Sequence, residues 1–341
     1  MSSSELTPYL KTILANSSQK VEFKQSIGEN GLGGFAREYI APNETIFKIN
    51  RNLILSSSTI KTVSDNEVQK LSQCNDLTSE TLLFYYIAKH KDDGEYLSSL
   101  PSDIPKLIED ELRGTNIYSQ LISDMAELES QYELICKFIP DTKVTLELLA
   151  HSRALYNSRR YPEKFAINSK NREKRKRHHD GTHVSDDEEE KSRRVYDLTQ
   201  GSLVPLLDVL NHDSEHDYLK FKVEDDTLHV IANIAIEKGM EIYSNYGCTS
   251  NDQFLLQFGF CCERDDFNVF AVKVGSNRYE LTLDNIPEEL LADGGHGLRY
   301  HLKSKLKALP AKDHLSTNIH VAYYMKEQRK LLKGLIKRLS K

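Results

Sequence analysis

Two stretches of this chain end an apolar run in polar groups that need partners if buried. One is Leu206-Leu207-Asp208-Val209-Leu210-Asn211-His212-Asp213, the other Glu241-Ile242-Tyr243-Ser244-Asn245-Tyr246-Gly247. A buried amide, imidazole and phenol can hydrogen-bond a small polar molecule and orient a reacting group. A third stretch, Glu29-Asn30-Gly31-Leu32-Gly33-Gly34-Phe35, has glycines that let backbone approach a ligand or turn sharply. A dinucleotide site would need a strand before it and a helix after it, whereas here a strand follows. Taken singly, each stretch reads as a cap, a turn or a core tyrosine with a wet tip.

The elements that must position these stretches alternate in type. From Val21 to Leu55 the pattern predicts short strands, Phe35 to Ala41 and Thr45 to Ile49, broken at Pro42-Asn43. Between Val68 and Leu155 the apolar spacing is helical. It shows as Leu82, Leu83, Tyr86 and Ile87 after the capping candidates Thr78 and Ser79, then as Leu107, Ile108 and Leu112, then as Leu146, Leu149 and Leu155. Strands return from Leu203 to Leu283, with Tyr218 to Val223 and Leu228 to Ile234 flanking Glu224-Asp225-Asp226. Thr317 to Leu339 carries Val321, Tyr324, Met325, Leu331, Leu332, Leu335 and Leu339 along one helical stripe.

Composition bounds the class. With 341 residues, 39% hydrophobic, 28% charged and no Trp, the chain can hold one large domain or a catalytic domain with a smaller lobe. No segment reaches the roughly 18 apolar residues of a membrane span, and Met1 to Leu10 lacks a leader pattern. The expectation is a cytoplasmic or nuclear protein with no membrane partner. Five cysteines without a Cys-x-x-Cys pair argue against a disulfide framework and a structural zinc, so no metal is expected. Lys170 to Arg194 holds sixteen charged residues in twenty-five and reads as a disordered insertion. Its Lys174-Arg175-Lys176-Arg177 run reads as a nuclear import signal, an RNA contact or a plain solvated stretch. From Arg299 to Lys341, twelve Lys and Arg face two acidic residues, a charge of +10 that leaves −16 for the rest of a −6 chain. A polyanionic or acidic partner and a solvated helix face both fit.

Taken in their order along the chain, Glu29–Phe35, then Leu206–Asp213, then Glu241–Gly247, the three stretches resemble the SET-domain protein methyltransferases, most closely the subgroup of the plant Rubisco large-subunit lysine methyltransferase and fungal ribosomal lysine methyltransferases. Glu95-Tyr96-Leu97-Ser98-Ser99-Leu100-Pro101 is similar to that subgroup's Leu-Pro segment, and Ser158-Arg159-Arg160-Tyr161 to its Ser-Arg-x-Phe motif. The resemblance spans roughly Val21 to Val274 and implies an α+β SET fold, mostly β with a helical insertion. It divides the chain into an N-terminal helical extension (1–20), a SET domain (21–283) and a truncated basic helical C-terminal region (284–341). The SET domain would hold a helical insert at about 65–150 and the charged insertion at 170–194.

The resemblance also implies S-adenosylmethionine as cofactor. Asn30, Gly31 and Leu32 would line it through their backbone, Arg159 would help hold it, and Asn211 and His212 would meet its amino group and adenine. Tyr246 takes the position of the active-site tyrosine, Asp208 would face the substrate amine, and Phe258 and Phe260 would wall the lysine channel. The subgroup's pattern has a tyrosine at Phe258, which leaves product state and acceptor residue open. Tyr243 reads as packing. The implied substrate is a non-histone protein, ribosomal or otherwise RNA-associated, gripped by the helical insert and by Lys326, Arg329, Lys330, Lys333, Lys337 and Arg338. Direct nucleic-acid contact through that basic region, a protein-histidine methyltransferase, a chromatin-modifying role and a non-catalytic SET-fold binding protein stay open as alternatives.

Overall fold

The computed structural model describes residues 5–26, 31–92, 95–102, 109–166, 201–275, 277–291, 294–310, 316 and 318–340. Asn30, Leu107, Ile108 and the charged stretch 170–194 with its Lys174–Arg177 run lie outside the described residues. In chain order the elements begin with α1 (Pro8–Ser17), β1 (Val21–Gln25), β2 (Leu32–Ala36), β3 (Thr45–Asn50), β4 (Leu55–Ser56), α2 (Ser57–Ile60), α3 (Asn66–Leu71) and α4 (Ser79–His90). Next come α5 (Asn116–Phe138), α6 (Leu146–Asn157), β5 (Arg160–Pro162), β6 (Gly201–Leu203), β7 (Leu219–Glu224), β8 (Thr227–Ala232) and β9 (Glu241–Ile242). The rest are α7 (Asn251–Phe258), β10 (Phe270–Val274), β11 (Asn277–Leu281), α8 (His296–Ala308) and α9 (Ile319–Arg338). They form two compact units, residues 1–103 with 130–247 and residues 104–129 with 248–341.

The first unit contains three small antiparallel sheets, ordered β1-β2-β9, β3-β8-β7 and β4-β6-β5. The hairpin of β7 and β8 turns at Asp225-Asp226, and Asp225 takes φ 49°, which a short side chain able to bond locally tolerates. Leu228, Val230 and Ala232 alternate inward along β8 and are fully buried. Thr78 and Thr145 cap α4 and α6 through the amides of Thr81 and Leu148. The two helices pack together, with Phe84 and Tyr156 ring centroids 5.3 Å apart. The α+β architecture expected from the sequence is present, and helix outweighs strand among the described residues because the strands are short.

One strand lies earlier than the pattern suggested. Expected over Phe35 to Ala41, it runs Leu32–Ala36, so Gly33 and Gly34 belong to the strand and not to the turn. The reason is close approach. A Cβ on Gly33 would fall on the Glu241 carboxylate, and one on Gly34 would lie 2.6 Å from a Leu210 methyl.

In the second unit the helix α7 occupies a stretch expected as strand. Ser250 caps it through the Gln253 amide, and Gly259 ends it at φ 77°. The spacing Ser250-x-x-Gln253 is a capping-box pattern, so the signal was present in the sequence. Phe270, Leu281, Leu302, Leu331, Leu332 and Leu335 form a buried cluster that joins the β10–β11 hairpin to α8 and α9. Of the six basic residues expected along one stripe, Arg329 and Arg338 donate to the main-chain carbonyls of Pro310 and Leu283 and act as clamps. Lys330 pairs with Glu327 at 3.2 Å, while Lys326, Lys333 and Lys337 are exposed. At spacings of seven and four residues, those three point to one side of α9.

Asp252, buried under α9, accepts a 2.7 Å hydrogen bond from the Tyr324 hydroxyl. Burial pushes its carboxyl up to about 6, against the hydrogen bond that favours the anion. The folded state therefore binds more protons than the unfolded chain between about pH 4 and 6. The stabilisation is complete below the unfolded pKa and lost as pH rises through about 6. Thermal unfolding measured from pH 4 to 7 should show Asp252→Asn with a flatter decline than wild type, the difference being on the order of 2–3 kcal/mol. Equal slopes would reject the assignment.

Candidate cofactor and acceptor site

In the first unit two distant stretches lie side by side. His212 and Ser244 form a parallel bridge, in which the Ser244 amide donates to the Asn211 carbonyl at 2.8 Å. Tyr161, from the Ser158–Tyr161 motif, donates its hydroxyl hydrogen to the Leu207 carbonyl at 2.9 Å and lies 3.1 Å from Ser244 Oγ. One buried phenol thus ties together β5, the Asp208 turn and the Tyr246 segment.

The Gly31 turn joins them. The Ser26 amide donates to the Gly31 carbonyl at 3.0 Å and closes the turn between β1 and β2. Apart from its chain neighbours, no atom of the described residues lies within 4 Å of where a Gly31 Cβ would project. Asn211 Nδ2 donates to Glu241 Oε1 at 2.7 Å and to the Leu32 carbonyl at 3.3 Å. Both of its hydrogens are committed to atoms that only accept, which fixes the amide orientation and presents Oδ1 as an acceptor.

Tyr246 sits beside His212, ring centroids 4.9 Å apart. Its hydroxyl donates to the Leu210 carbonyl at 2.9 Å, so the oxygen's remaining capacity is to accept. Its amide donates to His212 Nδ1 at 3.2 Å. Burial holds the imidazole below its ordinary pKa, so it is neutral at pH 7. The same Nδ1 lies 3.3 Å from the Ser244 carbonyl, so the ring sits between the Tyr246 amide and the Ser244 main chain.

Asp208 lies on a single 3-10 turn, Leu207–Val209, entered through Leu206 at φ 72°. Such a backbone costs a bulky residue energy, and the fully buried Leu206 side chain holds it in place. The buried Tyr96 hydroxyl donates to Asp208 Oδ2 at 2.7 Å, and Arg159 Nη1 donates to the Asp208 main-chain carbonyl. Burial pushes the Asp208 carboxyl up to about 6, opposed by Arg159 and Tyr96. The amides of Leu206 and Asp208 aim partial positive charge at it, but Oδ1 has no hydrogen-bond partner among the described residues.

The structure thus brings together Gly31, Leu32, Asn211, His212 and Tyr246, and it sets Asp208 with Arg159. Phe258 and Phe260 belong to the second unit, where both rings pack on Phe254 at 6.3 and 5.3 Å. Three contributors were missed. Tyr96 came in with the Leu-Pro segment yet had no role assigned. Glu241 read as an ordinary strand residue. Tyr243, expected to pack only, also donates to Glu241 Oε2 at 3.1 Å. Among the described residues no group of three or more His, Cys, Asp or Glu is suited to hold a metal, and no helix is long and apolar enough to cross a membrane.

The SET domain family profile matches residues 31–247. Among curated proteins, the chain is 26% identical over 251 residues to N-lysine methyltransferase setd6 of Xenopus laevis, covering 67% of this chain and 50% of that protein. It is 22% identical over 278 residues to the actin-histidine N-methyltransferase of Gallus gallus, covering 78% of this chain and 44% of that protein. The chain spans about half the length of the curated relatives it matches. Among solved structures, the SET domain of LSMT bound to lysine and AdoHcy superposes with a TM-score of 0.70 at 13% identity, over 98% of this chain and 91% of that one. A profile spanning more than half of the residues, over the stretch that builds the Gly31, Asn211 and Tyr246 site, identifies this chain as a member of the SET-domain family.

Proposed function

We propose that this protein is an S-adenosylmethionine-dependent protein-lysine N-methyltransferase that acts on a non-histone protein, such as a ribosomal protein or translation factor. The observation that carries the reading is that the Leu210–His212 stretch is hydrogen-bonded on one side to Leu32, next to Gly31, through Asn211, and on the other to Tyr246 through Leu210 and His212. When bound, S-adenosylmethionine supplies an electrophilic methyl group on a sulfonium. Asn211 Oδ1 suits its ammonium, the neutral His212 ring suits its adenine, and Arg159 suits its carboxylate. The backbone of Asn30, Gly31 and Leu32 would line its length, which fits the lack of other described atoms within 4 Å of a Gly31 Cβ.

The acceptor must reach the site as a free amine. Neutralising a lysine at pH 7 from a pKa of about 10.4 costs about 4.6 kcal/mol, which desolvation beside a cation offsets. The Tyr246 oxygen, its hydrogen already given to Leu210, accepts from the amine and aims its lone pair. Asp208, with Oδ1 buried and unpartnered among the described residues, supplies a carboxylate for the same amine. A histidine acceptor is the second reading, favoured by the similarity to actin-histidine methyltransferases. Mass spectrometry of the modified peptide separates the two. The target is proposed to dock on the exposed lysines of α9, and the protein to work in the cytoplasm, the nucleus or both.

Incubating naive cell extract with radiolabelled S-adenosylmethionine tests the reading directly. Wild type should label protein, Tyr246→Phe should lower kcat about 10- to 100-fold with AdoHcy affinity retained, and Asn211→Ala should weaken AdoHcy binding about tenfold. Absence of both AdoHcy binding and labelling would leave a non-catalytic SET-fold binding protein. Replacing Lys326, Lys333 and Lys337 together with Gln should raise KM for the labelled target several-fold and leave AdoHcy affinity unchanged. An unmoved KM removes this face from target recognition.

A further inference from the structure

We propose that Glu241 is a positioning residue that locks the Asn211 amide with its oxygen toward the cofactor's ammonium, and so sets affinity for the amino-acid end of the cofactor. The inference rests on the S-adenosylmethionine reading above. Glu241 is buried at 7% exposure and collects three donors: Ser26 Oγ at 2.7 Å and the Tyr243 hydroxyl at 3.1 Å on Oε2, and Asn211 Nδ2 at 2.7 Å on Oε1. An amide presents either its oxygen or its NH2, and the wrong face would set two donors against an ammonium. The Leu32 carbonyl, at 3.3 Å, is a weak lock by itself. The carboxylate at 2.7 Å is the strong one.

The same carboxylate holds the turn. Ser26 donates its hydroxyl to Glu241 and its amide to Gly31, so the base of the Gly31 turn and the Asn211 amide share one anchor. Gly33 is the counterpart, since any side chain there would occupy the carboxylate's position. Tyr243, two residues along the same chain segment, closes the acceptor from the far side.

The test uses two ligands that differ only in the amino-acid end. S-adenosylhomocysteine carries the ammonium and carboxylate, whereas 5′-methylthioadenosine keeps the adenosine and thioether without them. Calorimetric titration of the full chain should show Glu241→Met, similar in size but with no strong acceptor, losing about tenfold in S-adenosylhomocysteine affinity. Its methylthioadenosine affinity should move less than about twofold. Glu241→Gln should recover most of the loss, because its carbonyl can face Asn211 while its NH2 meets the hydroxyl oxygens of Ser26 and Tyr243. Equal loss for both ligands would make Glu241 merely structural, and no loss for either would also overturn the proposal. Should the Met variant fail to fold, Ser26→Ala combined with Tyr243→Phe frees Oε2 and should show a smaller loss for S-adenosylhomocysteine alone. A wild type that binds neither ligand would defeat the cofactor reading instead.

Discussion

The hydrogen bond from the Ser244 amide to the Asn211 carbonyl is the constraint on which the site depends. It is the point where two stretches some thirty residues apart become neighbours, and no regular sheet pairs them along their length. With so little ladder, register must come from side chains. Tyr161 supplies part by reaching the Leu207 carbonyl and Ser244 Oγ, and Tyr246 supplies the rest from its hydroxyl to Leu210 and its amide to His212. Each is a phenol or amide whose only alternative inside the fold would be an unpaired buried polar group. The arrangement is therefore held by the cost of leaving it as much as by the gain of making it.

Buried carboxylates pay a desolvation penalty, and this chain keeps several. Asp208 and Asp252 each receive a tyrosine hydroxyl, while Glu241 receives two hydroxyls and an amide. Burial leaves the two aspartates with carboxyls raised to about 6. A hydrogen bond from Tyr96 offsets only part of the burial cost at Asp208, even with the Arg159 guanidinium nearby. That is weak packing economics for a residue with a purely structural role, since an apolar side chain of similar size would fill the turn without penalty. The strained Leu206 just before it points the same way, because strain and a costly charge on one short turn imply selection for what the turn presents.

Much of the fold was legible where periodicity or caps were strong. The β7–β8 hairpin, the α4 start at Thr78 and the α9 stripe follow from alternation, a capping hydroxyl and a 3.6-residue repeat. The start of β2 was not, because Gly33 and Gly34 look like turn residues until Glu241 and Leu210 are seen against them. The helix α7 was missed although Ser250 and Gln253 announce its start, since the surrounding strand pattern outweighed a two-residue signal. At the site, Asn211, His212 and Tyr246 were readable as a set only through their order along the chain. Glu241 and Tyr96 were not readable, because a buried acid's partner lies wherever the fold brings it, and no local spacing encodes that. The basic stripe was half legible: helical spacing put its members on one helix, but not that Arg329 and Arg338 spend their guanidinium groups on carbonyls.

The chemistry of the site follows from which atoms are left to act once the internal bonds are counted. Asn211 gives both hydrogens inward, Tyr246 gives its only one to Leu210, and His212 uses Nδ1 on an amide. Asp208 keeps one oxygen without a partner among the described residues. What Asn211 Oδ1 and Asp208 Oδ1 turn toward a ligand is therefore acceptor in kind, with the Arg159 guanidinium as a donor. A surface of that kind prefers cationic and polarised hydrogen-bearing groups and disfavours phosphates or other polyanions. An ammonium, a sulfonium-bound methyl and an amine are all of the preferred kind, whereas a nucleotide triphosphate is not. The same internal bonding that stabilises the crossing thus selects the class of ligand, and a change that turned one donor outward would alter both at once.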